Sequence, residues 1–386
     1  MPAFSRQEMM RRIDLFRGRL QQNNVALALL HTADNVFYVS GVPLLSEWGR
    51  PLWALLPAAG RSALCGAAIQ QENMHENSSF DEIFLYGDDE DPVQTSVRLC
   101  AQFMARSSSK RLRIGLEEQL LPTRLFRALQ GHFPEAEFVE IGPWLEDMRL
   151  IKSDEELRWL ELGAELAKIG ADAFLEAMQD NATELAVASH AVAATNKAMG
   201  ALCANGLTST HAYAQFGKNT LVPHLHPTSR RLARGDVVSL NVFPVVWGYC
   251  AELVRTFVYG EPTEQLRKIC QAVGEAQTAG IDAVKPGVAM AEIDKATREA
   301  LRRHDLVKYV RHGSGHAGGI MIGAAGREAK GELRSYNMTR FQPNMSTSVE
   351  PGVYLPGVGG FRQSDMLIVT ASGARCVTDF PHEIGF

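Results

Sequence analysis

The stretch GDVVSLNVFPVVWGYCAELVRTF, residues 235–257, decides the fold of the larger part of this chain. It reads as two strands meeting at a turn, rich in the branched and aromatic residues that strands favour. The first strand delivers Asn241. The second delivers Glu252, just ahead of Arg255 and Thr256. One of the two is a carboxylate and the other a neutral amide.

Working outward, "MRLIKSDEELRWLELGAELAKIGADAFLEAM" (148–178) opens the second half of the chain. Ser153 with Glu156 is a capping box, and Trp159, Leu162, Leu166 and Ile169 form an apolar stripe at helical spacing, which reads as a core-facing helix. Residues 183–202, 263–284 and 289–306 are likewise amphipathic helices. β-rich stretches with Gly turns occupy 235–259, 345–354 and 359–370. Helices flanking an antiparallel sheet make residues 151–386 an α+β domain. Ahead of it, Ser5 with Glu8 starts a helix carrying Met9, Ile13, Phe16 and Leu20. "VALALLH" (25–31) is a short buried strand, and residues 51–68 read as strand, Gly60 turn, strand. Residues 110–117 and 136–142 are further strands near helical stretches, so residues 1–150 read as an α/β domain.

A chain of 386 residues is long enough for two such cores. With 46% apolar and 22% charged residues, the composition is that of a soluble globular protein. The net charge of −5 leaves no basic footprint for nucleic acid or an anionic membrane. The N-terminus lacks a signal-peptide apolar core, and no apolar run approaches the roughly 18 residues that span a bilayer. Six cysteines (Cys65, Cys100, Cys203, Cys250, Cys270, Cys376) form no short-spaced pair. They read as reduced core thiols of a cytoplasmic protein, not as a disulfide frame or a zinc knuckle.

Five places in the second domain concentrate groups able to do chemistry. His224 and His226 sit in the Pro-flanked "NTLVPHLHP" (219–227), and Asn241 and Glu252 lie on the strand pair. His312 and His316 occupy the Gly-rich "RHGSGHAGG" (311–319), where glycine lets backbone approach a ligand closely. Glu350 ends a strand in "STSVEPGVYLPG" (346–357). Arg362, Ser364 and Asp365 begin another in "GGFRQSDMLIV" (359–369). Singly, each has an ordinary reading as a surface group, a turn former or a satisfied core residue; His75, His132, His190 and His382 are read that way. Together the set is far more specific.

The order and surroundings of these segments resemble the pita-bread family of prolidases, aminopeptidases P, methionine aminopeptidases and creatinase, over essentially the whole chain. The resemblance implies a creatinase-type N-terminal α/β domain followed by a pita-bread catalytic domain. In metal-dependent members two Asp, one His and two Glu hold two divalent ions; those positions fall here on Asn241, Glu252, His316, Glu350 and Ser364. Two anions are thus missing from a cluster that must neutralise two ions about 3.5–4 Å apart. Closest in look is creatinase, which works without metal and carries Asn at the Asn241 position. The shared segments are "GDVVSLNVFP" (235–244), "GREA" (326–329), "SVEPGVYLPG" (348–357), "KSDEE" (152–156) and "WGRP" (48–51).

That likeness implies a metal-independent hydrolase with no cofactor, cleaving a C–N bond of amidine, urea or amide type in a small carboxylate-bearing substrate. It implies catalytic roles for His224, His316, Glu350 and Glu252, and substrate contacts from Trp48, Arg50, Arg327, Asn241 and Ser364. Arg50 and Arg327 would grip the substrate carboxylate as bidentate forks. Trp48 and Arg50 would reach over from the partner subunit, so a homodimer with shared sites is expected. Two departures argue against creatine itself. The Glu of creatinase's "ALERT" is Val254 in "ELVRT", with Glu252 two residues earlier on the same side of the strand, and its two further His fall on Ser364 and Gly323. Two rivals stand beside this reading: an Xaa-Pro peptidase-like metallohydrolase with a degenerate site, one ion being held by Glu252, His316 and Glu350, and a non-catalytic pita-bread binding protein.

Overall fold

The computed structural model describes residues 3–43, 50–106, 112–203, 208–322, 328–382 and 385. The chain divides into two compact units, Met1–Met148 with Met321–Gly326, and Arg149–Ile320 with Arg327–Phe386.

In the second unit the 235–257 stretch is a hairpin because Trp247 (φ 49°) and Gly248 (φ 79°) are both left-handed. Two such residues make the tight turn whose twist matches that of the strands it joins. Val246 faces Tyr249 across the turn, and the register runs on through Leu253–Val242 and Val254–Asn241 to Val258–Val237. On its other edge, strand Val237–Val246 pairs with Thr208–Phe216, which puts Tyr213 opposite Asn241 and Gln215 opposite Ser239. Residues directly opposed share a face, and faces alternate along each strand. Tyr213, Gln215, Ser239, Asn241, Val254 and Glu252 therefore line one face.

The opposite face carries Ala212, Ala214, Val238, Leu240, Val242 and Leu253, all buried in one cluster with Ala167, Ala171, Phe174, Val187 and Ala191. Helices Asp154–Glu176 and Glu184–Leu202 cover it, each started by a side-chain cap from Ser153 or Thr183. Ser153 and Glu156 form the full reciprocal box. Ser5 makes half of one: it caps Glu8 N, while the Glu8 carboxylate turns to Arg11 and Arg12.

The expected apolar stripe of the first of these helices is corrected in part. Leu166 is fully buried as expected, but Ile169 is 38% exposed, and Leu160, Gly163, Ala164, Ala167, Gly170 and Ala171 also face the core. The reason is closeness: a Cβ added at Gly170 would stand 2.7 Å from Val242, and one at Gly163 2.9 Å from the Ala251 methyl. A helix this near a sheet turns its glycines and alanines to the closest approach, while Trp159 packs on Trp247 at the flank.

Three smaller sheets complete the unit. Ser346–Val349, Asp365–Val369 and Ala374–Cys376 form one, hairpin Gly352–Leu355 with Gly359–Arg362 another, and Gly315–Ala317 with Glu328–Leu333 the third. Helices Glu264–Ala283 and Met290–Arg303 pack against them through Ile269, Val273, Ile293 and Leu301.

The first unit is a six-stranded mixed sheet in the order Glu82–Tyr86, Ala63–Ala67, Trp53–Pro57, Leu27–Leu30, Arg113–Leu116, Glu137–Glu140. Helices Pro92–Ala105 and Thr123–His132 contribute Val97, Cys100, Phe103, Leu125 and Leu129 to its core. Ile322 belongs here although it lies far along the chain, its N–H donating to Asp34 Oδ1 at 3.0 Å. Among the described residues no helix is long and apolar enough to cross a membrane.

Candidate active site

The face that bears Asn241 and Glu252 is covered by the later strands, and the candidate residues meet in that buried layer. Ser364 lies beside Val254 through a reciprocal backbone bridge, Val254 N to Ser364 O at 3.2 Å and Ser364 N to Val254 O at 2.9 Å. The bridge brings the Ser364 hydroxyl onto Glu252 Oε1, to which it donates. His316, on the short strand Gly315–Ala317, places Nε2 3.2 Å from Glu252 Oε2 and 3.7 Å from Glu350 Oε1. Glu350 is fixed by its own N–H, which donates to Ser314 O at 2.7 Å. Five of the expected residues, Asn241, Glu252, His316, Glu350 and Ser364, thus form one connected cluster.

Arg362 closes it. Its Nη2 donates to Asn241 Oδ1 at 2.6 Å and its Nη1 to Glu350 Oε2 at 3.3 Å, with the side chain only 9% exposed. Sequence reading singled out Arg362 beside Ser364 but gave it no role. The expected single strand over 359–369 is broken by the structure into Gly359–Arg362 and Asp365–Val369, in different sheets, and Arg362 reaches the cluster from the end of the first. Asp365, one residue past Ser364, points the other way into a buried ion pair with Arg255 at 2.8 Å and takes a hydrogen bond from Gln277. It is therefore part of the scaffold.

The electrostatics follow from the contacts. Burial opposes a charged imidazole at His316, but the charge and hydrogen bond of Glu252, with the charge of Glu350, outweigh it and raise the pKa. Burial would likewise raise Glu252, but the charge and hydrogen bond of His316 and the Ser364 hydroxyl hold it below the usual carboxylate range. Geometry agrees: His316 Nδ1 faces Ala317 O at 3.2 Å while Nε2 faces two carboxylates, so both ring nitrogens need protons. Beside the cluster, His312 Nε2 meets the Tyr354 hydroxyl at 2.7 Å, and burial pushes that phenol up to about 12.

The remaining expected residues lie elsewhere or outside view. His224 is exposed in the turn after the 3₁₀ helix Gly217–Leu221, and His226 packs edge-on against Tyr213 with ring centroids 5.3 Å apart. Arg50 is exposed in the first unit and paired with Asp88. Trp48, Gly323 and Arg327 lie outside the described residues. Sequence reading missed Gln215, whose side-chain amide reaches the His224 loop.

Two family models match the chain: the creatinase/prolidase N-terminal domain over residues 12–151 and metallopeptidase family M24 over 159–371. The chain is 31% identical to creatinase from Bacillus sp. (strain B-0618), the match spanning 98% of this chain and 92% of that one. It is 25% identical to the Xaa-Pro dipeptidase of Pyrococcus horikoshii, over 95% and 96% of the two chains. The crystal structure of the prolidase from Pyrococcus horikoshii OT3 superposes with a TM-score of 0.83 at 23% identity, over 97% of this chain and 99% of that one. The fold is the two-domain pita-bread arrangement that the resemblance implied.

Proposed function

The chain belongs to the creatinase/prolidase family, metallopeptidase family M24, and is a hydrolase; from that premise we propose that it cleaves a C–N bond of a small carboxylate-bearing substrate without a metal ion. The observation that carries this reading is the charge around Asn241. The family implies metal, so the donor set must be tested against it. A pair of divalent ions needs anions on both sides, and two of the five positions are neutral here. The Asn241 oxygen already accepts from a guanidinium, and the Ser364 hydroxyl donates to a carboxylate instead of offering one. Glu252 and Glu350 are satisfied by His316, Ser364 and Arg362. A metal pair does not fit this donor set.

In the metal-free mechanism the cluster binds and orients. Glu350 and Glu252 hold the N–H-rich end of an amidine, urea or amide and align a water molecule. His316 donates a hydrogen bond to the tetrahedral centre as negative charge gathers there. Water adds to the carbon as His224 takes its proton, and collapse of the tetrahedral centre breaks the C–N bond as His224 gives that proton to the departing nitrogen near neutral pH. Arg50 and Arg327 fix the far carboxylate, with Trp48 and Arg50 supplied by the second subunit of a homodimer, so that remote binding energy becomes orientation. None of the six cysteines is joined in a disulfide, which supports residence in a reducing, cytoplasmic setting.

A second reading has one observation in its favour. Ligand atoms of Glu252, His316 and Glu350 all lie within 4.8 Å of one another, a spacing that suits a single divalent ion. Those three residues would hold it, and it would supply Lewis-acid activation of water.

One experiment separates the readings. The purified protein should carry less than one tightly bound transition metal per chain and keep its turnover in chelator on the best of a panel of guanidino, ureido and amide acids. His224→Ala should lower that turnover by about 10²–10⁴-fold with folding intact. Close to one ion per chain with chelator-sensitive activity favours the single-ion reading, and close to two ions overturns the metal-free one. Wild-type turnover in His224→Ala removes His224 from the mechanism.

A further inference from the structure

We infer that Gln215 is a positioning residue for His224, acting through the backbone of the loop that carries it; the inference rests on the proposed role of His224. The loop leaves strand Thr208–Phe216 and returns at Val237, and its middle residues Val222, His224 and His226 are exposed. Leu232 anchors the returning arm in the core, but the exposed middle of the loop has no such apolar anchor. Order there must come from hydrogen bonds.

Two buried side chains supply them. Glu184, fully buried in the first turn of helix Glu184–Leu202, fastens the two ends of the loop. Its Oε1 accepts from Phe216 N at 2.7 Å and Asn219 Nδ2 at 3.0 Å. Its Oε2 accepts from Thr228 N at 2.9 Å and Thr228 Oγ1 at 2.6 Å. Thr220 adds a tie to the strand of Arg362, its hydroxyl accepting from Gly360 N at 2.8 Å.

The middle of the loop is held by Gln215, which is 1% exposed. Its Nε2 donates toward Val222 O at 2.9 Å, Pro223 O at 3.1 Å and Leu225 O at 2.9 Å. Three carbonyls around one terminal atom identify that atom as the amide nitrogen, its two hydrogens shared among them. These carbonyls bracket His224 on both sides. Gln215 stands on the face of its strand that also carries Tyr213, which packs on His226 and whose carbonyl accepts from Asn241 Nδ2 at 3.0 Å. The backbone at His224 is therefore referenced to the sheet face that holds Asn241 and Glu252. A proton-transferring group must sit within hydrogen-bond reach of its target, and a shift of about 1 Å can cost about 10²-fold in rate.

The test uses Gln215→Leu in the full chain. Leu keeps the buried volume, and the freed carbonyls lie on an exposed loop where water can take the donor's place, so the fold survives. Hydrogen exchange over residues 219–228 should quicken about five- to tenfold, the effect of roughly one net hydrogen bond. Exchange in strand Val237–Val246 should not change. On the best acid of the substrate panel, kcat should fall about 10²-fold with KM nearly constant. In a His224→Ala background the same substitution should cost no further turnover, because the group it positions is gone; damage spread through the fold would multiply instead. Unchanged exchange at 219–228 overturns the inference. Faster exchange with wild-type kcat, while His224→Ala is inactive, overturns the positioning role and leaves the His224 reading standing. Wild-type turnover in His224→Ala alone overturns that reading, and the exchange data then report the loop clamp independently.

Discussion

Replacing Asn241 by Asp would restore the anion that the metal-dependent members carry, and it should destabilise this protein. Asn241 is fully buried, and its amide nitrogen donates to Tyr213 O at 3.0 Å, Ser239 Oγ at 3.1 Å and Ser239 O at 3.3 Å. A carboxylate oxygen in that place faces two carbonyls with nothing to give, and only the Ser239 hydroxyl can turn to donate to it. Losing the donor from buried partners costs about 1–3 kcal/mol. Burying the new anion costs several kcal/mol more before compensation. Arg362 offsets part of this, but its guanidinium is already divided between Asn241 Oδ1 at 2.6 Å and Glu350 at 3.3 Å. The net loss should be at least about 1 kcal/mol, the lower end of the donor cost. It is read from the urea midpoint of Asn241→Asp against wild type at neutral pH in chelator. Burial raises the folded pKa of the new acid above its unfolded value, so the deficit should shrink as pH falls and the protonated acid regains a donor. A variant as stable as wild type at neutral pH would refute the reasoning: the amide would not be what this pocket is built for.

Two further predictions address the first unit and the assembly. The Glu117 carboxylate, 3% exposed, accepts from His31 N, Thr32 and Asn35 and lies 3.2 Å from His31 Nδ1. Burial opposes both charges, but the mutual pairing wins, lowering Glu117 below 4.5 and raising His31 above 6.5. The Glu117 contribution is present above its unfolded pKa and lost as pH falls through the depressed folded value. The His31 contribution is present below its unfolded pKa and lost as pH rises through the raised folded value. Stability of this unit should therefore peak between the two, and His31→Gln should flatten the alkaline limb in thermal unfolding; an unchanged limb would show the pair contributes nothing. For the assembly, Arg50→Ala and His224→Ala chains mixed as a dimer should regain about half the wild-type activity, because isologous symmetry puts both lesions in one site and leaves the other intact. Mixed dimers as inactive as either parent, or a fully active monomer, would rule out shared sites.

Much of the architecture was legible because it depends on neighbours. Alternation put Asn241 on a strand and Glu252 on the side of Val254, although the strand itself begins one residue later, at Leu253. Ser153 and Glu156 announced a helix start that the structure realises in full. The same local rules placed Leu166 correctly but misplaced Ile169 on the Asp154–Glu176 helix. Periodicity finds the most apolar stripe, whereas the buried stripe was chosen by how closely Gly163 and Gly170 let the helix approach the sheet. Arg362 shows the limit more sharply. Its sequence neighbours mark a strand and a face, yet its partner Asn241 is 121 residues away, and Ser364 meets Glu252 across 112. Propensity, capping and alternation act over one turn or one strand pair, so the sequence alone determined the elements and the residue types available to the site. Which donor satisfies which acceptor was decided only by chain closure. Burial removes water as an alternative partner, so every polar group in that layer must be satisfied by whatever the tertiary fold brings within about 3 Å of it.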